Sequence, residues 1–276
     1  MARDTGLVDP EYVAARRVLL DALGALGVHR KAVVLVGAQA IYLRVGAGDL
    51  SVAPFTSDGD LAVNPAVLDD EPLLAEALAA AGFALAVKPG TWARDDVQID
   101  LMVPEAVGGA GRRSARLGPH GTDVARKAKG LEAAIVDHDV FTLAALDPAD
   151  PRTVEVAIAG LPALLIAKLH KLAEREVTPA RWSPKDGLDV LRILRGGDLD
   201  AIGATLAALE AHPIAGAVTR EAHAHLHRLF AKPSAYGPAM AVRATVGLED
   251  PATIAASCVV LASDLRSAWA AHRPAA

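Results

Sequence analysis

Val33-Val34-Leu35-Val36 is an apolar run of β type that stops at Gly37, and a helix-like segment over 38–45 follows at once. Thr56-Ser57-Asp58-Gly59-Asp60 then leads into a second apolar run, Leu61-Ala62-Val63. A third acid, Asp100, sits inside the strand-like run Val97-Gln98-Ile99-Asp100-Leu101-Met102-Val103. Side chains alternate along a strand, so Asp58 and Asp60 can point to one face. A carboxylate among apolar strand residues is costly unless it is paired or binds a metal ion. The order therefore calls for a sheet that gathers acids beside a glycine turn and supplies something to neutralise them.

The flanking pattern is consistent with such a sheet. Residues 10–27 read as an amphipathic helix, with Asp9 as N-cap and Pro10 as first helical residue. Strands are expected over 32–36, 60–63, 83–87, 91–94 and 97–103, with a loop over 46–55 and a helix over 71–81 that Gly82 ends. That is a mixed sheet with helices on one side. Short strands over 131–135, 140–146 and 153–158 follow. From Leu161 onward the periodicity is helical, with helices expected over 162–176, 184–194, 199–211, 214–230, 238–246 and 252–271, and proline or glycine between them. The expected class is α+β: a mixed-sheet α/β domain over 1–160, then an all-helical domain over 161–276.

Composition sets the limits. Aromatic residues are only 4% of a chain that is 52% hydrophobic, so Ala, Leu and Val must build the core. The net charge of −5 means that any nucleic-acid contact must come from a local patch. Residues 105–130 offer one: Arg112, Arg113, Arg116, Arg126, Lys127 and Lys129 stand against only Glu105 and Asp123. Segment 161–197 is basic as well, with seven basic residues against four acidic ones. The single cysteine, Cys258, excludes a disulfide within the chain and reads as a small buried hydrophobe. No uninterrupted apolar run approaches the roughly 18 residues of a membrane span, and the N-terminus lacks a signal-peptide pattern. The expectation is a cytoplasmic protein with no membrane partner.

Three acids on neighbouring strands can hold two Mg²⁺ ions, which prefer hard oxygen ligands and clamp attacking and leaving oxygens. The third acid can also serve as base toward an incoming hydroxyl. Gly37 lets backbone approach a triphosphate, and the helix that follows favours anions at its N-terminus. The order resembles the nucleotidyltransferase superfold. Downstream, Ile166-Ala167-Lys168-Leu169-His170-Lys171-Leu172-Ala173-Glu174-Arg175 and Pro184-Lys185-Asp186-Gly187-Leu188-Asp189-Val190 resemble the AbiEii/MenT family, the nucleotidyltransferase toxins of bacterial toxin–antitoxin systems and their relatives. The resemblance spans roughly residues 30–196.

This resemblance implies transfer of NMP from an NTP to an acceptor hydroxyl, with tRNA 3′ ends as acceptor and a separately encoded antitoxin as partner. By position it implies Asp58, Asp60 and Asp100 as metal ligands and catalytic acids. Gly37, Ala38, Thr56 and Ser57 fall on the nucleotide side. Lys168 would touch the phosphates, with Lys171 on the same helix face, and Asp186 would be the catalytic acid of the helical half. Ala38 stands where the family pattern has a second glycine or a serine.

Two rival readings accompany this one. The acceptor could be a small molecule, as in antibiotic nucleotidyltransferases; the negative net charge favours that, and the basic segments favour RNA. Alternatively the chain is a non-catalytic nucleotide sensor or interaction protein, which Ala38 favours. In the run His223-Ala224-His225-Leu226-His227 only His223 and His227 would share a helix face, so an ordinary helix surface is the simpler reading there. His120, in Pro119-His120-Gly121, reads as a turn histidine, and Trp92, Trp182 and Trp269 are too far apart in sequence to suggest a base-stacking stripe.

Overall fold

The computed structural model describes residues 8–46, 50–111 and 113–274. Arg112 of the basic segment, and residues 47–49 of the expected loop, lie outside the described residues.

Helix α1 (Pro10–Leu26) starts where the sequence suggests, with Asp9 accepting the Glu11 N–H at 2.8 Å. Strand β1 (Val33–Val36) follows, then α2 (Gly37–Val45), β2 (Asp58–Val63), α3 (Leu74–Ala80), β3 (Ala84–Leu85), β4 (Thr91–Arg94) and β5 (Val97–Pro104). Strands β6 (Arg126–Ala128), β7 (His138–Ala144) and β8 (Thr153–Ala159) complete one mixed sheet. Its order is β3-β4-β5-β2-β1-β8-β7, and β6 also pairs with β5. All four β1 side chains are buried, so the sheet is covered on both faces there rather than on one.

Two pairings place the acids. Strand β1 runs antiparallel to β2, with Val36 opposite Asp60, and β2 runs parallel to β5, with Asp60 opposite Asp100. Gly59 alternates with Asp58 and Asp60 onto the other face, where α1 lies. A β-carbon there would come within 2.7 Å of Ile99 and 3.3 Å of Leu19, so glycine lets α1 sit close to the sheet. Leu19, Leu20, Leu23 and Leu26 are buried along α1. Each contributes about 1.5–3 kcal/mol through removal of apolar surface from water.

After Gly160 the chain is helical: α4 (Leu161–Glu176), α5 (Pro184–Gly196), α6 (Leu199–Glu210), α7 (Gly216–Leu229), α8 (Tyr236–Ala244) and α9 (Pro251–Ala271). Asp137 Oδ2 accepts the Ala163 N–H at 3.1 Å near the start of α4. The handover from sheet to helices does not interrupt the core, which runs from Leu35 and Ile41 to Leu165 and Leu191.

Several elements differ from the expectations. Residues 131–135 form a turn segment rather than a strand, with Ala134 N–H bonded to the Leu131 carbonyl and Glu132 accepting the Gly130 and Ala106 N–H groups. A short apolar run has the same appearance in a strand and in a buried turn. Strand β6 is absent from the sequence-based expectation because its residues, Arg126-Lys127-Ala128, carry no β signal. Helix α9 is long and apolar enough to cross a membrane by length and composition. One stripe of it, including Ile254, Cys258, Leu265 and Trp269, is buried, while Ser263, Asp264 and Ser267 are exposed.

Candidate active site

The acid cluster is built on the register of β2 and β5. Paired residues on adjacent strands project to the same face, about 4.8 Å apart across the ladder. Asp60 and Asp100 are such a pair, and Asp58 shares their face by alternation. Gly37 ends β1 beside Asp60 with φ +71°, and a β-carbon there would overlap the Asp60 carboxylate. Both the backbone angle and the close approach require glycine. Ala38 is buried in the first turn of α2, whose N-terminus has no side-chain cap.

Asp58 is exposed and is held from two sides. Buried Thr56 donates its hydroxyl to Asp58 Oδ1 at 2.5 Å, and Ser57 beside it is exposed. Gln39 Nε2 donates to the Asp58 carbonyl at 2.9 Å, and buried Arg16 donates to Gln39 Oε1 at 2.8 Å. This brace runs from α1 through α2 to the start of β2.

Asp60 and Asp100 differ electrostatically. Burial and then the neighbouring charge of Asp58 raise the Asp60 carboxyl, against the opposing pull of Lys171 and Lys168. Burial also works against the charged form of Asp100, but Arg126, Thr91 and Lys88 outweigh it and hold that carboxyl low. Arg126 donates to Asp100 Oδ2 at 2.6 Å, Thr91 to Oδ1 at 2.6 Å and Lys88 to Oδ2 at 3.3 Å.

The helical half contributes a second cluster. Lys168 is buried, with Nζ 3.0 Å from Asp186 Oδ1 and 2.7 Å from Asp189 Oδ2. Asp186 also pairs with Arg175 and lies 3.8 Å from Lys171. Burial disfavours its charge, yet Lys168, Lys171 and Arg175 pull the Asp186 carboxyl down to about 2. Burial lowers the Lys168 ammonium less than Asp189 and Asp186 raise it. Lys168 and Asp186 are therefore bound into a closed ion-pair network rather than projecting toward open space. Lys171 is 42% exposed, and half-buried Lys185 feels the charges of Asp58 and Asp60. Those two lysines are open enough to meet a ligand.

Sequence reasoning singled out the three acids, Gly37 and Lys171. It missed the Arg16–Gln39 brace, the three groups around Asp100, and Lys185. The basic segment 105–130 did contain Arg126, but nothing in its pattern indicated that β6 would carry it to Asp100. His120 is a buried brace: it accepts the Leu74 N–H at 3.1 Å and its other ring nitrogen meets the Asp69 carbonyl at 2.7 Å. Cys258 is buried, and burial pushes its thiol up to about 12, which leaves it inert as a nucleophile.

Compared with protein-family models, curated proteins and solved structures, the chain matches none.

Proposed function

We propose that this chain is an Mg²⁺-dependent nucleotidyltransferase that moves NMP from an NTP to an acceptor hydroxyl, with a tRNA 3′ end as acceptor. The observation that carries the reading is the alignment of Asp58, Asp60 and Asp100 on one face beside the Gly37 turn. The donors are hard carboxylate oxygens, and the raised Asp60 carboxyl beside Asp58 is the electrostatic condition that a bound cation relieves. Asp58 and Asp60 would hold the ion. When bound there, Mg²⁺ would neutralise triphosphate charge and favour attack at the α-phosphorus. At Asp100, Arg126 already supplies positive charge, so the residues fit one ion better than the two that three acids on neighbouring strands can hold.

The chain's own groups have distinct parts in this reading. Lys171 and Lys185 take the triphosphate, and the uncapped start of α2 adds N–H donors. The acceptor oxygen forms a bond to the α-phosphorus as the bond to the β-phosphate oxygen breaks, pyrophosphate leaves, and the proton of the acceptor hydroxyl passes to solvent water. Asp100, held low by Arg126, is a weak proton acceptor and anchors rather than acts as base. An open cavity of about 650 Å³ lined by Arg113 and Arg116 suits a polyanionic acceptor, which favours RNA over a cationic small molecule. The cation-paired state of Asp100 joins Ala38 in favouring nucleotide binding without transfer.

The test supplies α-³²P NTPs and Mg²⁺ with total tRNA, or with an aminoglycoside, to wild type and Asp60→Asn. Label on tRNA in the wild type alone supports the proposal. Label on the aminoglycoside alone moves the acceptor to the small-molecule reading, and bound NTP with no transfer favours the non-catalytic one.

A further inference from the structure

We infer a second, separate metal site between α4 and α7, formed by His170, Glu221 and His225 and selective for a borderline transition ion such as Zn²⁺. One ligand atom from each lies within 4.8 Å of the others. Glu221 and His225 are four residues apart on α7, so they share a helix face. Buried His170 reaches them from α4.

The donor chemistry is prepared for a metal. His170 Nε2 meets the Val218 carbonyl at 2.9 Å, and a carbonyl can only accept, so that nitrogen carries the proton. Nδ1 is then an unprotonated donor atom, 3.8 Å from Glu221 Oε2. A backbone carbonyl that fixes the ring in this way is the usual outer partner of a metal-bound histidine. Zinc needs donors about 2.0–2.2 Å from the ion, so the three must draw together. His225 is half-buried and Glu221 is exposed, so both can turn. Lys129 Nζ lies 2.6 Å from Glu221 Oε2, and at 48% exposure it can leave as the ion enters. Two imidazoles and one carboxylate suit zinc over Mg²⁺, with a fourth position left for water. The site is distinct from Asp58 and Asp60, so it does not depend on the proposed transfer reaction. Bound there, the ion would tie α7 to α4, the helix that carries Lys168 and Lys171.

Tag-free protein titrated with Zn²⁺ against a chromogenic chelator tests this, with Co²⁺ absorption as a second readout. Wild type and Asp60→Asn should each bind one tight equivalent. His225→Ala and Glu221→Gln should each weaken it at least about tenfold, and Lys129→Met should tighten it. His223→Ala, on the same helix, should leave affinity unchanged. Absence of a tight equivalent, unchanged affinity in His225→Ala and Glu221→Gln, or loss of binding only in Asp60→Asn would overturn the inference.

Discussion

Asp60 and Asp100 are register partners on adjacent parallel strands, yet their surroundings drive their carboxyl groups in opposite directions. Arg126 and Lys88 neutralise Asp100 from the protein side, and Thr91 donates a hydrogen bond to it. Asp60 has Gly37 at close range and Asp58 as a like-charged neighbour.

This difference predicts a pH and metal response. With its pKa raised on folding, Asp60 holds a proton more tightly in the folded state than in the unfolded chain. Stability therefore falls as pH rises from the ordinary carboxylate value through the raised one, and the penalty is complete above it. Asp60→Asn should melt at a higher temperature than wild type at pH 8 in metal-free buffer. Mg²⁺ should raise the wild-type melting temperature and leave the variant's unchanged. Equal Mg²⁺ responses in thermal melts would contradict this.

Gly37→Ala should destabilise the fold by about 1–3 kcal/mol, because it forces an alanine to positive φ and pushes a methyl group into Asp60. Urea unfolding measures the loss. A variant as stable as wild type would show that the Gly37–Asp60 approach relaxes freely.

Lys168 and Lys171 should separate stability from activity. Lys168→Ala leaves Asp186 and Asp189 buried without their shared cation and should cost about 3–5 kcal/mol. Lys171→Ala, at a half-exposed position, should cost under about 1 kcal/mol yet weaken NTP binding. Paired urea melts and binding titrations would expose the reverse pattern.

The Asp186 network should also make the fold sensitive to acid. Its folded pKa of about 2 lies below the unfolded value, so its contribution is full above the ordinary carboxylate range and is lost as pH falls toward about 2. Stability measured from pH 5 down to pH 2 should fall less steeply in Asp186→Asn than in wild type. Parallel curves would assign the acid response elsewhere.

Much of the acid-bearing half was legible because alternation and a glycine stop are local signals. The face shared by Asp58 and Asp60 follows from spacing alone. Their alignment with Asp100 depends on β2–β5 register, which no local pattern encodes. Arg126 was hidden for a related reason: it acts through a three-residue strand whose pairing is set by distant chain. Lys168 had the right helix but the wrong neighbourhood, since its burial between Asp186 and Asp189 depends on how α4 packs against α5. The His170–Glu221–His225 group joins two helices, and the spacing of the histidine run alone pairs His223 with His227 instead.

Following both ends of the nucleotide tests transfer at the acid cluster most directly. Wild type and Asp60→Asn are incubated with Mg²⁺, total tRNA and NTP labelled at either the α- or the γ-phosphate. Wild type should move α-label to tRNA and release γ-label as pyrophosphate, and Asp60→Asn should do neither. Transfer of γ-label to the acceptor, or α-label transfer that survives Asp60→Asn, would contradict nucleotidyl transfer at this site.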